Sequence, residues 1–432
     1  LGLLKMDFLG LRTLTVIQDA VRNIKMSQGI DLDIDHLDME DKDVYDMLGA
    51  GQTEGVFQLE SNGMKSFMTE LKPRNIEDVI AGISLYRPGP MDFIPLYIKG
   101  KEHPESIHYD CPQLEKILAP TYGCIVYQEQ VMQIVMELAG YTLGRSDLVR
   151  RAMSKKKGDV MQKERKNFVY GNEEENVQGC ISRGIDEKTA NKIFDDMIDF
   201  AKYAFNKSHA ACYAVVAYQT AYLKCHYPKE YMAALITSVL DRTDKVSEYI
   251  AHCRKLGISI LPPDINEGYS YFSVTDKGIR YGLSALKSVG KSVIEKMVEE
   301  RQQHGAFSSL KDFMERLSSK EVNKRTIESF IKAGAFDGLG ANRRQMMIAY
   351  SQMLDEIHKT EKNVMSGQMS LMDFMSTEDK KDFEVKYPNV SEYEKEELLA
   401  YEKEVLGVYV SGHPLEDYME LMENNVTATT SD

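Results

Sequence analysis

The chain has 432 residues, of which 43% are hydrophobic and 28% are charged, and its formal net charge is −14. This length accommodates two or three domains, and the composition is ordinary for a globular chain. No apolar run approaches the roughly 18 to 20 residues that cross a bilayer, so a membrane partner is not expected. Six scattered cysteines without a Cys-x-x-Cys pair predict small core residues in a reducing, cytoplasmic compartment, and exclude a disulfide framework.

The negative charge is unevenly distributed along the chain. Residues 144–168 carry nine Lys or Arg against three acids, whereas acidic side chains crowd residues 171–176 and the C-terminal third. A basic stripe on an acidic body is typical of a focused polyanion site. The net charge alone argues against a nucleic-acid partner, and the local charge favours one.

The first predicted element is a strand over residues 1 to about 12, in which Asp7 lies inside an apolar segment and Lys5 stands two positions earlier. Residues two apart on a strand face the same side, and a buried carboxylate needs a cation or a metal beside it. Two interpretations stay open: a metal-and-phosphate site, or a salt bridge between Lys5 and Asp7, which the spacing alone favours. A lone strand without an initiator Met predicts that the chain is a piece of a longer polypeptide.

Helical patterns dominate the next part of the chain. Residues 14–26 have helical spacing, residues 31–48 form an acidic linker that enters a short helix, and helical patterns continue over residues 57–231. The Pro88-Gly89-Pro90 run forbids regular structure and fixes Arg87 in an extended or turn conformation.

Residues 258–286 mark a boundary, because two prolines are followed there by two short β-like runs. A new helical set follows, and residues 361–382 form a flexible interruption. The predicted fold class is therefore mainly α, with a large helical domain, a second helical domain that contains a few short strands, and one strand at the N-terminus.

The basic segment LGRSDLVRRAMSKKK predicts a helix with Ser146 as its N-cap. Arg151 and Lys155 lie four apart, and Arg150 and Lys157 lie seven apart, so two neighbouring stripes of the helix are cationic. Stacked like charges destabilise an isolated helix, and a polyanion such as a triphosphate or a nucleic-acid backbone would reverse that cost. The alternative interpretation is a solvated surface face.

A second candidate helix runs to about His226, with Asn206 or Ser208 as its N-cap. One stripe of this helix carries His209, Tyr213 and Thr220. Lys207 lies at the helix N-terminus, where the dipole also favours anions. These residues predict a nucleotide site, with cations on phosphates and an aromatic ring against base or sugar. Hydrogen-bonded core residues are the alternative.

A tight turn, Ser288-Val289-Gly290, separates two short helical patterns, and residues 333–340 repeat the arrangement. This is typical of a helix-hairpin-helix pair, whose turns hold a DNA phosphate on backbone N–H groups. Gly290 permits close backbone approach. Ser288 stands where the motif commonly has Gly, and a packing hairpin without DNA contact is the alternative.

Seven sequence blocks, taken in order, resemble the alpha subunits of bacterial replicative DNA polymerase III, the C family of DNA polymerases. They are KMDFLGLRTLT, GVFQLESNGMK, LYRPGP, YQEQVM, LVRRAMSKKK, FNKSHAACYA and ILPPDIN. The resemblance covers essentially the whole chain. It implies a DNA-directed DNA polymerase, a nucleotidyltransferase with two Mg²⁺ ions, that uses primer-template DNA and deoxynucleoside triphosphates.

The resemblance also implies roles for individual residues. Asp7 matches the third catalytic aspartate, a metal ligand, and Lys5 matches a palm lysine that faces the triphosphate. Arg150 and Arg151 match fingers residues that clamp the triphosphate, and Arg87 is a further pocket residue. In the family the helix that carries His209 and Tyr213 borders the nascent base pair and the sugar, and which of the two senses the 2′-hydroxyl stays open.

The expected domains are the palm edge at residues 1–15, the fingers at residues 16–258, and a domain with the helix-hairpin-helix and clamp-binding segments at residues 259–432. A short peptide in the last domain resembles the segment by which bacterial polymerases hold the sliding clamp, the beta subunit. Its residues are Gln368, Met369, Ser370, Leu371, Met372 and Phe374. The resemblance further implies other replisome subunits as partners.

The family's other two aspartates lie upstream of the first residue of this chain. A single carboxylate does not hold two metal ions, so we expect this fragment alone to be unable to polymerise. Two alternatives stay open: a non-catalytic DNA-binding or clamp-tethering relative, and a hydrolase or structural helical protein in which Lys5 and Asp7 only form a salt bridge.

Overall fold

The computed structural model describes residues 2–7, 10–154, 158–201, 203–317, 322–365 and 386–418. The predicted mainly α fold is confirmed. The chain divides into two compact units, which we call the central unit (Asp33–His226) and the terminal unit (Leu1–Leu32 with Tyr227–Asp432). None of the helices in these described ranges is long and apolar enough to cross a membrane.

Helices make up most of both units, and they differ widely in length. Those among the described residues are α1 (Arg12–Gln28), α2 (Lys42–Gly49), α3 (Asn62–Leu71), α4 (Ile76–Leu85), α5 (Ile94–Glu102), α6 (Pro112–Leu118), α7 (Gln128–Ala139), α8 (Leu143–Ser154), α9 (Gly158–Tyr170), α10 (Glu187–Ala201), α11 (Lys207–His226), α12 (Pro228–Ser238), α13 (Thr243–Lys255), α14 (Lys291–His304), α15 (Leu310–Arg316), α16 (Lys324–Lys332), α17 (Arg343–Met365) and α18 (Lys395–Leu406).

The core of the central unit has two clusters of buried apolar side chains. One surrounds α11, which packs against α2 and α4, and the other joins α6 to α10. The face of α11 in the first cluster carries the fully buried Ala210, Ala214, Ala217 and Ala221. Their spacing places them on one side of the helix, and small side chains let neighbouring helices approach closely.

The two predicted N-caps have different outcomes. Asn206 caps α11, because its Oδ1 accepts a hydrogen bond from the His209 N–H at 2.8 Å. The cap predicted at Ser146 is wrong, since α8 begins one turn earlier at Leu143. The Thr142 hydroxyl accepts from the Arg145 N–H at 3.4 Å and thus supplies the acceptor that Ser146 was expected to provide. Ser146 is buried, and its hydroxyl donates to the Leu143 carbonyl.

In the terminal unit, α1 packs along α12, and the helix predicted for residues 14–26 is confirmed. The unit contains a small sheet in the order β1-β3-β2, formed by β1 (Ile260–Leu261), β2 (Ser273–Thr275) and β3 (Gly278–Arg280). Strand β3 pairs parallel with β1 and antiparallel with β2. Strands β2 and β3 lie at the two predicted β-like runs, whereas β1 precedes the two prolines and was not predicted.

The strand predicted over residues 1 to 12 is not formed in its described part. Residues 2–7, 10 and 11 have no regular structure, and α1 begins at Arg12. The Leu3 side chain is 100% exposed and the Leu4 side chain is 87% exposed. A strand requires a hydrogen-bonded neighbour, and no described strand pairs with this segment.

Candidate functional site

The first half of α11 contributes two rings to a continuous row of four rings, which we call the aromatic row. The predicted site residues His209 and Tyr213 lie at its centre, with ring centroids 4.3 Å apart. Phe205 meets His209 edge-on at 5.4 Å, and Phe57 lies 5.2 Å from Tyr213 at the other end. His209 is exposed and Tyr213 is half-buried, so the row is open to a ligand along one side.

Arg87, directly before the Pro88-Gly89-Pro90 run, contacts one ring of the aromatic row. Its guanidinium carbon lies 4.0 Å from the centroid of the Phe205 ring. The Nε atom donates to the Ser84 carbonyl and Nη2 donates to the Tyr203 carbonyl, both at 3.0 Å. Burial lowers the pKa of Arg87 below its ordinary value. The tertiary structure thus brings Arg87 to the same surface as His209.

The N-terminus of α11 already holds a carboxylate of the protein itself. The Lys207 N–H donates to both Glu129 oxygens, at 3.0 and 3.1 Å, and Asn206 Nδ2 donates to Glu129 Oε1 at 3.0 Å. The Lys207 ammonium forms a further ion pair with Glu77 at 3.0 Å. The dipole favours an anion here, as expected, but an external phosphate would have to replace Glu129.

The basic helix α8 lies against the same region through Gln128. Gln128 Oε1 accepts a hydrogen bond from Arg150 Nη1 at 3.1 Å, and Gln128 Nε2 donates to the Ala204 carbonyl at 3.2 Å. Ala204 immediately precedes Phe205 of the aromatic row. Arg150 is therefore linked to the start of α11 within the central unit, which the sequence spacing did not indicate.

Asp147 pairs with both arginines of the basic helix. This carboxylate pairs with Arg150 Nη2 at 2.7 Å and with Arg151 Nε at 2.8 Å. Hydrogen bonding from Arg150, followed by the charges of both arginines, lowers the pKa of Asp147. The Arg151 side chain is 62% exposed, so its ion pair is open to exchange with an external anion. Lys155 and Lys157 lie outside the described residues.

Lys5 and Asp7 lie in the terminal unit and form an exposed ion pair. The distance from Lys5 Nζ to Asp7 Oδ1 is 3.5 Å, and the side chains are 86% and 66% exposed. Mg²⁺ requires several oxygen ligands, and Asp7 contributes one carboxylate. No cluster of three or more His, Cys, Asp or Glu side chains in the described ranges is placed to hold a metal ion. These residues therefore do not complete a two-metal site.

The predicted hairpin turn lies in the terminal unit, directly before α14. Ser288 has a φ of +64°, a conformation that favours glycine, and Gly290 is the N-cap of α14 with a φ of −77°. The turn is tied down by the Lys287 N–H, which donates to the Val405 carbonyl at 3.0 Å. Ser288 and Gly290 are exposed. The clamp-like peptide, Gln368 to Phe374, lies outside the described residues.

Several residues at the candidate site were missed by sequence reasoning. They are Phe57, Gln128, Glu129, Asp147 and Phe205. Four of them stand inside the blocks GVFQLESNGMK, YQEQVM and FNKSHAACYA, which are distant in sequence. Asp147 could have been found from its spacing, since it precedes two arginines by three and four residues on one helix. The other contacts depend on tertiary packing.

Comparison with known proteins gives two family matches. Residues 13–176 match the bacterial DNA polymerase III alpha subunit finger domain, and residues 257–346 match a helix-hairpin-helix motif.

Three curated relatives match almost the whole chain, and each is a DNA polymerase III subunit alpha. The protein of Thermus aquaticus is 47% identical over 428 residues, 98% of this chain and 34% of the relative. That of Borreliella burgdorferi is 43% identical over 423 residues, 98% of this chain and 36% of the relative. That of Mycobacterium tuberculosis is 44% identical over 436 residues, 99% of this chain and 36% of the relative.

The chain spans about a third of the length of the curated relatives it matches. The resemblance seen in the sequence blocks is confirmed over both units. Over almost its whole length the chain is similar to a segment of the DNA polymerase III alpha subunit, and it matches the finger domain of that subunit and a helix-hairpin-helix motif.

Proposed function

We propose that this chain is the nucleotide-binding part of the catalytic subunit of a bacterial replicative DNA polymerase. The observation that carries the proposal is the aromatic row on α11, with Arg87 over one end and Arg150 of α8 linked to it through Gln128. Aromatic faces stack on bases, and arginines bind phosphates in bidentate fashion. The surface therefore combines the two groups that recognise a nucleoside triphosphate.

In this proposal each charged group of the central unit has a defined task. Arg150 and Arg151 exchange Asp147 for triphosphate oxygens, since a polyanion offers more acceptors than one carboxylate. His209 and Tyr213 contact the base or the sugar. Lys207 adds positive charge at the start of α11, where Glu129 competes with an incoming phosphate. Positioning and charge stabilisation are the main protein contributions to phosphoryl transfer.

The remaining parts of the chain have proposed roles in the complete subunit. Residues 1–15 form the palm edge, and Asp7 is one carboxylate of a two-metal Mg²⁺ site whose other ligands come from outside this chain. Lys5 faces the triphosphate. Residues 16–258 form the fingers, and residues 259–432 bind duplex DNA through Ser288-Val289-Gly290 and hold the sliding clamp.

Primer extension tests the catalytic proposal. The complete subunit with Mg²⁺ and deoxynucleotides is expected to extend a primer, whereas this chain alone is not. Asp7→Asn in the complete subunit is expected to abolish incorporation and leave binding of primed DNA intact. Asp31→Asn is the matched control, because Asp31 also forms an exposed ion pair, with Lys25 at 3.2 Å.

Each outcome of this experiment separates two interpretations. Activity in the Asp7→Asn subunit would contradict the metal-ligand role. A complete subunit that binds primed DNA and adds no nucleotide would instead be a non-catalytic DNA-binding or clamp-tethering relative. Absence of affinity for both DNA and nucleotides would favour a hydrolase or a structural helical protein.

A binding assay with the sliding clamp tests the peptide at Gln368. Replacing Gln368 and Leu371 together by Ala is expected to remove binding, because a Gln hydrogen bond and an apolar anchor carry most of the affinity of such short peptides. Replacing Ser376 and Thr377 by Ala in the same segment is the control. Unchanged affinity of the Gln368 and Leu371 variant would contradict the assignment.

A further inference from the structure

The turn that presents Phe57 to the aromatic row has an unusual backbone. The Leu59 N–H donates to the Val56 carbonyl at 3.1 Å, which closes a β-turn with Phe57 and Gln58 at its centre. Gln58 has a φ of +64°, where Gly or Asn is preferred. The Gln58 side chain is exposed, so packing does not explain the conformation. Strain of this kind persists where surrounding contacts hold it, often at functional sites.

Thr220 of α11 holds this turn in place. Its hydroxyl accepts a hydrogen bond from the Phe57 N–H at 3.1 Å and donates to the Ala217 carbonyl at 2.8 Å. Thr220 is fully buried, so water does not compete for these bonds. It lies two helical turns beyond Tyr213, on the stripe that the sequence assigned to a nucleotide. Thr220 thus ties the turn to α11 and is not open to a ligand itself.

Tyr213 depends on its ring neighbours for its orientation. Its hydroxyl makes no hydrogen bond to any residue that the structure describes. The ring is flanked by His209 at 4.3 Å and by Phe57 at 5.2 Å. His209 is exposed, whereas the backbone of Phe57 is held by its turn and by the Thr220 hydroxyl. Phe57 is therefore the more firmly held neighbour of Tyr213.

We propose that Phe57 is a positioning residue that holds the Tyr213 ring for selection of the nucleotide sugar. The inference rests on the proposed function, because it requires α11 to face the incoming nucleotide. Phe57 acts through Tyr213 and is not itself in contact with substrate. Loss of the Phe57 ring would let Tyr213 rotate, and a 2′-hydroxyl would then be excluded less strictly.

The test is single-nucleotide incorporation by the complete subunit with matched deoxy- and ribonucleoside triphosphates. For Phe57→Ala, the ratio of kcat/KM for the deoxynucleotide to that for the ribonucleotide is expected to fall about three- to tenfold, the range of one aromatic pair. The KM for the deoxynucleotide should rise more than kcat falls. Phe57→Tyr keeps the ring and is expected to restore the wild-type ratio.

Two pairs of variants, at Gln58 and at Thr220, keep the Phe57 ring and change how its turn is held. Gln58→Gly suits a φ of +64° and should leave the ratio unchanged, whereas Gln58→Val cannot adopt this conformation without strain and should lower the ratio as Phe57→Ala does. Thr220→Ser keeps the hydroxyl that holds the turn and should keep the ratio. Thr220→Val removes the hydroxyl and should lower the ratio. Equal losses in Gln58→Gly and Gln58→Val would assign the effect to the Gln58 side chain and overturn the role of Phe57.

A structural control removes general instability as an explanation. Phe67 belongs to the same core cluster and lies 5.8 Å from Tyr86, so Phe67→Leu weakens that core without touching the aromatic row. It is expected to lower the melting temperature and keep the nucleotide ratio. If the wild-type subunit incorporates nucleotides and Phe57→Ala keeps the ratio, the inference alone is overturned. A wild-type subunit that incorporates none overturns the proposed function and the inference together.

Discussion

Two ion pairs of the central unit have the same length and opposite surroundings. Lys101 Nζ lies 2.8 Å from Asp78 Oδ2, with the side chains 5% and 2% exposed. Arg151 Nε lies 2.8 Å from Asp147 Oδ2, with the side chains 62% and 29% exposed. Distance alone does not distinguish them. Burial does, because water and external anions compete for the second pair and have no access to the first.

The buried cation is also fully committed to the fold. Lys101 donates to the carbonyls of Leu71 and Lys72 at 2.8 and 2.9 Å, and burial lowers the pKa of its ammonium. Asp78 accepts the Arg74 N–H in addition. The paired arginines of α8, by contrast, share a single carboxylate near the surface. The comparison indicates that a cation serves the fold where its partners are buried with it, and is available to a ligand where they are exposed.

Lys101→Met is the largest expected effect and tests the buried half of the comparison. It leaves Asp78 charged, buried and without its cation, which costs about 3–5 kcal/mol of unfolding free energy. Urea unfolding of the chain measures the loss. Lys99→Met, at an exposed position of the same helix α5, is the matched control and should change stability little. Similar losses in both variants would contradict the structural role of Lys101.

Arg151→Ala tests the exposed half, because the Arg151 side chain is 62% exposed. A hydrogen bond to a charged group contributes about 1.5–3 kcal/mol, so the nucleotide KM of the complete subunit should rise about tenfold or more. The unfolding free energy should change by less than about 1 kcal/mol. Arg165→Ala is the control, because Arg165 of α9 also pairs with a carboxylate, that of Asp195. A KM that rises equally in both variants would contradict the selective role of Arg151.

The ion pairs of Glu54 predict a stability that depends on pH. Burial by itself would raise the pKa of Glu54, but hydrogen bonding from Lys65 and the charge of Lys224 lower it from 4.5 to about 2. Between these values the unfolded chain binds a proton that the folded chain does not, so stability is lost as the pH falls from about 4.5 towards 2.

The unfolding free energy that Glu54 contributes, and that is lost at acidic pH, should amount to about 1–2 kcal/mol after allowance for solvent screening. Unfolding free energies measured across this pH range, for the wild type and for Glu54→Gln, give the difference. The variant should lack this part of the pH dependence. An identical slope in both proteins would mean that Glu54 is not the titrating group.

The smallest expected effect concerns the backbone of an exposed turn. Ser288→Gly relieves a φ of +64° and should raise the unfolding free energy by about 0.4–1 kcal/mol. Lys296→Gly, at an exposed position inside α14, should instead lower it by roughly 0.5–1 kcal/mol, since glycine weakens a helix interior. A higher unfolding free energy for Ser288→Gly would show that the fold does not require the Ser288 side chain, as it does not require the exposed cations. A loss would show that the side chain stabilises the hairpin.

Local patterns predicted much of the fold. Helical spacing located α1 and α11, and the two prolines after Ile260 marked the start of the sheet region. The N-cap of α8 is predicted at Ser146, but the helix begins after Thr142. Both residue types are good caps, and the local sequence does not decide which of the two is buried by packing. The strand at Asp7 was predicted from alternation, and alternation does not supply a hydrogen-bonded neighbour.

The sequence by itself determined the family resemblance, the helical class and the residue types of the site, because seven ordered blocks and helical periodicity are properties of the chain alone. Tertiary structure decided which of those residues meet. Phe57 reaches Tyr213, Glu129 reaches the N-terminus of α11, and Gln128 reaches Arg150 across separations of 22 to 156 residues. Such contacts arise from the packing of helices against one another, and no local pattern records them. The same packing separates the buried Lys101 from the exposed Arg151, because burial is a property of the folded chain.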